Sequence, residues 1–297
     1  MGYKGSYRTI GKKTWTSPET EKTDFATLPN DAFFGTSLPE RAQAFLSRLG
    51  TADCLGCGQR LPENGRFCST CLLEYKRAKT YECGACGRPL SDCDCSSAYL
   101  YRNGVPRAAK LLNYQAGDGE AVENRIIRYL KRKDEKTVFR FFAAELETSV
   151  RRLLPPSGEV VLSFIPRARK RKAEFGFDQA KRLAEALGER LSLPVVPALR
   201  RAKGSTMQKE QETMRERLEN ARHSFFFRKG ADVAGKTVLL VDDILTTGAS
   251  MAAAAGVLRK NGAKRVCAVV LATAVKHPNI KLEHAENTHI PWFENRG

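Results

Sequence analysis

The chain has 297 residues, of which 42% are hydrophobic and 28% charged, enough apolar content to bury a core of one large or two small domains. Its 50 Lys and Arg against 33 Asp and Glu leave a formal charge of +17, which argues against a neutral surface and for an anionic partner. Met1 to Gly50 holds no apolar leader segment, and the longest apolar run, Val266 to Val275, is far too short to span a bilayer, so the expectation is a cytoplasmic protein without a membrane span.

Residues 1–50 mix Gly, Thr, Ser, Pro and charge without sustained periodicity, apart from a short helical pattern at Pro39 to Arg48, and read as a flexible arm. At Cys54 the composition changes: eight of the nine cysteines follow within 42 residues, as Cys54-x2-Cys57, Cys68-x2-Cys71, Cys83-x2-Cys86 and Cys93-x-Cys95. A Cys-x2-Cys turn points both sulfurs at one ion, commonly with a glycine after it, and Gly58 and Gly87 fit. Disulfides are disfavoured without an export signal, and pairing within a Cys-x2-Cys would staple nothing. Two structural zinc ions are therefore expected, one on Cys54, Cys57, Cys68 and Cys71 and one on Cys83, Cys86, Cys93 and Cys95, although a cross-braced pairing fits the same spacing. Cys267, alone in an apolar strand, reads as a small buried hydrophobe.

Between Tyr99 and Leu154 the pattern is helical, with Val138, Phe142, Leu146, Val150 and Leu153 on one side and Pro155 and Pro156 ending the run. Val160 to Ile165 is a buried strand, followed by Pro166 and the basic run Arg167, Arg169, Lys170, Arg171, Lys172. A charge run is usually a solvated face; this one sits at the carboxyl end of a core strand, where open α/β sheets bind ligands. A helix capped by Asp178 follows, with Ala180, Leu183, Ala184 and Leu187 inward. Pro194 to Pro197 reads as a short strand, and Leu199 to Arg228 as a long polar excursion suited to a lid or substrate loop. Residues 98–229 carry 29 Lys and Arg against 16 Asp and Glu, so most of the basic excess lies there.

Thr237 to Ser250, TVLLVDDILTTGAS, reads as a buried strand, two carboxylates and a hydroxyl-rich turn opening a helix on which Met251, Ala255 and Leu258 share one side. Orphan amides and the helix dipole favour a phosphate at such a turn. Asp242 and Asp243 would repel it unless a sugar separates the two jobs, its hydroxyls donating to the carboxylates and its phosphate seated on Thr246, Thr247, Gly248, Ala249 and Ser250. A receiver domain also opens with Asp-Asp after a strand, but it needs a later Asp, and none follows Asp243. Strand Arg265 to Ala272 closes the domain, and a loose tail runs from Lys276.

The hydrophobic run, Asp242-Asp243, two residues and Thr246-Thr247-Gly248 resemble the phosphoribosyl-pyrophosphate (PRPP) loop of type I phosphoribosyltransferases. Together with the cysteine-rich segment ahead of it, residues 54 to about 275 resemble the ComF/GntX family. Tyr129 to Lys131 resembles that family's Leu-Lys-Tyr turn, Phe175 to Gln179 its Arg-Gly-Phe-Asn-Gln segment, and Arg201, Gln208, Arg217 and Asn220 the polar residues of its flexible loop; Glu174, Phe175 and Asp178 depart from the pattern. The resemblance implies an α/β type I phosphoribosyltransferase fold, a parallel sheet flanked by helices, at 98–275. A small double zinc ribbon at 51–97 precedes it, with an arm at 1–50 and a tail at 276–297. It implies PRPP or ribose 5-phosphate, with Mg2+, on Asp242, Asp243, Arg167 and the Thr246 to Ser250 turn, and single-stranded DNA on Arg169, Lys170, Arg171, Lys172 and Lys131. The implied role is DNA uptake for natural competence, with DNA-uptake or recombination proteins as partners. The alternative is an active transferase moving a pentosyl group from PRPP to an unidentified base or amine, with Asp242 and Asp243 catalytic.

Overall fold

The computed structural model describes residues 52–61, 65–115, 119–168, 173–202 and 224–274. The expected arm, the helix at Pro39 to Arg48, Arg169 to Lys172, the interior of the polar excursion and the tail lie outside them. In chain order the elements are β1 (Ala52–Asp53), β2 (Arg60–Leu61), α1 (Ser69–Lys79), α2 (Ala98–Arg102), β3 (Ala108–Ala109), β4 (Leu112–Tyr114), α3 (Val122–Arg132) and α4 (Lys136–Arg151). There follow β5 (Val160–Phe164), α5 (Gln179–Leu191), β6 (Leu199–Arg201), β7 (Phe225–Phe227), β8 (Thr237–Leu245), α6 (Ala249–Lys260) and β9 (Arg265–Ala274).

The sheet is parallel. β8 lies at its centre between β5 and β9, and β9 pairs on its other side with β3 and then β4. The apolar run of β8 is unbroken because both its faces are covered. Leu239 and Val241 join Phe142, Leu146, Ala184 and Leu187 of α4 and α5 in one core, while Val238 and Leu240 join Met251, Ala255 and Leu258 of α6 in the other. α5 starts as its sequence suggests, Asp178 Oδ1 accepting from the Lys181 amide at 3.2 Å.

Four expectations need correction. The strand at Thr237 does not stop at Val241: Asp242, Ile244 and Leu245 pair in register with Val270, Ala272 and Thr273, so the aspartates lie in the strand and not in a loop. Pro194 to Pro197 is no strand but a single bridge, Val195 to Leu162, because its prolines lack the donors a ladder needs. Leu199 to Arg228 is not loop at its ends, where β6 and β7 form an antiparallel ribbon. The helical stretch from Tyr99 also hides two strands, β3 and β4, which extend the sheet along β9.

The cysteine-rich segment shares a core with the sheet: Cys54, Leu55, Cys71 and Tyr75 are buried in one cluster with Ile126 and Phe142. Tyr75 stacks on Phe67 with ring centroids 4.7 Å apart, and its hydroxyl donates to Glu145 Oε2 at 2.8 Å. Burial and the Glu145 charge push the Tyr75 phenol well above its usual range. Lys79 Nζ reaches the same carboxylate at 2.6 Å, so this half-buried carboxylate is paired twice.

Candidate functional site

At the carboxyl end of the sheet, Asp242, Asp243, Thr246 and Ser250 line a cleft of about 460 Å³ together with Lys131, Arg167 and Arg201. Each aspartate holds the next peptide: Asp242 Oδ1 accepts from the Asp243 amide at 2.9 Å, and Asp243 Oδ1 from the Ile244 amide at 2.8 Å. Burial, reinforced by the neighbouring Asp243 carboxylate, pushes the Asp242 carboxyl well above the ordinary range. Beyond them Gly248 turns the chain with φ +80° and, standing just ahead of α6, brings no capping side chain of its own, so the amides after Ala249 are not taken by the N-cap residue. That leaves the helix N-terminus as an anion site. Thr247 serves the turn itself, its Oγ1 accepting from the Ala249 amide at 3.3 Å.

The opposite wall is basic. Arg167 follows β5; its amide donates to Asp178 Oδ2 at 2.9 Å, and its guanidinium lies 4.9 Å from the Phe175 ring centroid. Asp178 thus holds both the helix start and this loop. Lys131 arrives from the last turn of α3, where the Gln179 side-chain amide donates to its carbonyl at 3.2 Å. Lys131, expected to contact nucleic acid, lines the cleft with Asp243, while Arg169, Lys170, Arg171 and Lys172, expected beside it, lie outside the described residues. Gln179 and Arg201 are cleft residues the sequence reading did not assign to a site; Arg201, opening the polar excursion after a buried Leu199, was the available signal. Chemically, the cleft sets the acceptors Asp242 and Asp243 among three cations and a helix N-terminus, with Glu174 and Asp178 also on its lining, a match for a polyhydroxylated, phosphorylated ligand.

The cysteines gather into two clusters, Cys54, Cys57, Cys68, Cys71 and Cys83, Cys86, Cys93, Cys95, in each of which all four sulfurs lie within 4.8 Å of one another. Tetrahedral Zn–S bonds of ~2.3 Å place sulfurs ~3.8 Å apart. Cys57 and Cys68 are 3.8 Å apart, and Cys86 and Cys93 are 3.5 Å apart, so both sets fit a tetrahedral metal ion. Gly58 and Gly87 close the two knuckles at φ +76° and +68°, their amides donating to the Cys54 and Cys83 carbonyls at 2.8 Å. Gly56 is required by space, since a Cβ there would fall 2.6 Å from Cys71 Sγ.

The second cluster is tied to the sheet edge. Cys95 bridges Arg107, and the Ala108 amide donates to the Asp94 carbonyl at 3.0 Å. Asp94 is buried, which works against its charge, yet Arg107 and Arg88 hold its carboxyl below the usual range. Lys110, between β3 and β4 and only 6% exposed, donates from Nζ to Cys93 Sγ at 3.2 Å and to the Cys95 carbonyl at 2.7 Å. Four thiolates around a divalent ion leave two negative charges, and this ammonium offsets one of them.

Residues 174–292 match the family model of the phosphoribosyl transferase domain. Among solved structures, the chain is similar to adenine phosphoribosyltransferase from Thermoanaerobacter pseudethanolicus at 18% identity, covering 47% of this chain and 82% of that one with a TM-score of 0.30. It is also similar to adenine phosphoribosyltransferase from Leishmania tarentolae (13% identity, 62% and 84% coverage, TM-score 0.31) and to purine phosphoribosyltransferase from Pyrococcus horikoshii (18%, 48% and 91%, 0.26). No curated protein matches. The parallel sheet flanked by helices is the type I phosphoribosyltransferase fold, the domain match lies over residues 174–292, and two cysteine clusters suited to metal precede it. Among the described residues no helix is long and apolar enough to cross a membrane.

Proposed function

We propose that this protein binds PRPP, or ribose 5-phosphate, in the cleft at the end of β8. The observation that carries the reading is the convergence of Asp242 and Asp243 with Lys131, Arg167, Arg201 and the Thr246 to Ser250 turn around one cavity. Asp242 and Asp243 accept from the ribose hydroxyls, the amides at the start of α6 hold the 5-phosphate, and Arg167, Lys131 and Arg201 face the pyrophosphate. Mg2+ bound with PRPP supplies charge neutralisation on the pyrophosphate. Calorimetry with PRPP and Mg2+ tests the site: the double variant Asp242→Asn, Asp243→Asn keeps the shape and loses binding, and undiminished affinity would place the ligand elsewhere.

The cysteine clusters hold structural zinc, since a full set of four thiolates leaves no position for a reacting water. With the double zinc ribbon and this loop, we assign the chain to the ComF/GntX type, a cytoplasmic protein handling single-stranded DNA in DNA uptake for competence, with DNA-uptake or recombination proteins as partners. The formal charge of +17 supports the nucleic-acid part, as does Phe226, 45% exposed on the β6–β7 ribbon with the Arg200 guanidinium 4.7 Å from its ring centroid. The second reading, a transferase moving the pentosyl group to a base or amine, is favoured by the family-model match. In that case Asp242 and Asp243 stabilise the cationic sugar while the basic wall accepts the leaving pyrophosphate. Product analysis of PRPP with candidate acceptors separates the two.

A further inference from the structure

The phosphate turn is backed by a piece of chain that belongs to the second cysteine cluster. Two residues after Cys95, Ser97 caps α2, its Oγ accepting from the Leu100 amide at 3.3 Å. α2 then lies directly behind the turn: a Cβ on Gly248 would stand 3.1 Å from Leu100 Cδ2 and 3.4 Å from Tyr99 Cδ1. Leu100 is fully buried in the same core as Met251 and Ala255 of α6. At its far end α2 grips α6 again, the Asn103 carbonyl accepting from Arg259 Nη2 at 2.8 Å. Gly104 (φ +75°) makes room for that guanidinium, which a Cβ would strike at 1.8 Å.

The near end of α2 runs directly out of the Cys93 to Cys95 segment. That segment is held by Lys110, by the Cys95 to Arg107 bridge and by the sulfurs of its own cluster. Without a metal, four thiols packed within 4.8 Å have no common partner, and the segment ahead of α2 is left with Lys110 and the Arg107 contacts to hold it.

We propose that the second cysteine cluster, holding its metal, fixes the turn at Thr246 to Ser250 through α2, making Tyr99 and Leu100 positioning residues for a ligand they do not touch. The proposal rests on the phosphate-binding reading of the turn, and its test separates the two. In the full-length protein, Cys95→Ser disables the cluster. The amides of Thr246 to Met251 then exchange hydrogen for deuterium faster, and the PRPP dissociation constant rises about 10- to 100-fold, the range for outer partners that orient a binding group. Should that variant fail to fold, Tyr99→Ala carries the test with both metals in place. Tyr99 is partly exposed, and its removal withdraws one of the two side chains behind Gly248 while sparing the buried Leu100. Faster exchange at the turn in either folded variant supports the proposal; unchanged exchange overturns it. A wild-type protein that binds no PRPP would end the functional reading instead, and the exchange rates would still decide this one.

Discussion

Lys110 is the only buried lysine among the described residues, and its replacement by Met tests whether the second cluster needs it. Met keeps much of the stem's volume and removes the ammonium. The cluster then bears its charge without a buried counter-ion, the Cys95 carbonyl loses a donor at 2.7 Å, and Cys93 Sγ loses one at 3.2 Å. Hydrogen bonds to charged groups contribute about 1.5–3 kcal/mol, which corresponds to roughly tenfold to hundredfold weaker metal binding. The assay is chelator competition on the full-length protein loaded with zinc, following metal release optically. Wild type and variant should differ in one of two release steps, the second cluster giving up its ion at lower chelator concentration. Superimposable curves would refute the reasoning, and equal weakening of both steps would assign the effect to general loosening of the fold.

Asp242→Asn should raise stability at neutral pH. The native carboxyl is elevated above its ordinary value of about 4, so the folded protein holds its proton longer than the unfolded chain and wild-type stability falls as pH rises through that window. The Asn variant lacks that slope; urea unfolding at several pH values checks it. Gly248→Ala forces a side chain into a left-handed conformation and towards Leu100, and should cost about 1–2 kcal/mol in a urea titration while weakening PRPP. Tyr75→Phe removes one donor from a carboxylate that keeps Lys79, and should cost about 1 kcal/mol in the same assay. Single-stranded DNA titrated at several salt concentrations should weaken with a log-log slope of roughly −0.7 per neutralised phosphate. Salt-insensitive or absent binding would leave the small-molecule transferase as the better account.

The cysteine knuckles were legible because they are written in local spacing, three turns of four residues and a Cys93-x-Cys95 step; that they group in chain order and not cross-braced is settled by the fold, which brings each set of four together. β8 was legible for the opposite reason, a run so apolar that only cover on both faces accommodates it. Its extension through Asp242 to Leu245 was not, because aspartate has little preference for strands and the conformation there is imposed by pairing with Val270 to Thr273. β3 and β4 escaped notice for the same reason. Two and three residues long, with Lys110 and Leu111 between them, they have no period to detect and exist because β9 offers an edge. Lys131 is placed on the cleft by packing that no local pattern announces, the Gln179 side chain donating to its carbonyl.

The core shared by Cys54, Leu55, Cys71 and Tyr75 with Ile126 and Phe142 ties the folding of the cysteine segment to that of the sheet, so a metal bound by the first cluster would stabilise both together. Cutting the chain after Cys95 would strip the cover from the apolar side of α4 rather than release a separate domain. By mass action, a metal held only by the native state adds about 2.7 kcal/mol when free ion stands a hundredfold above its dissociation constant. The protein's melting temperature should therefore track the free metal concentration of its surroundings, so that the availability of an ion far from the cleft sets how much folded protein there is to present one.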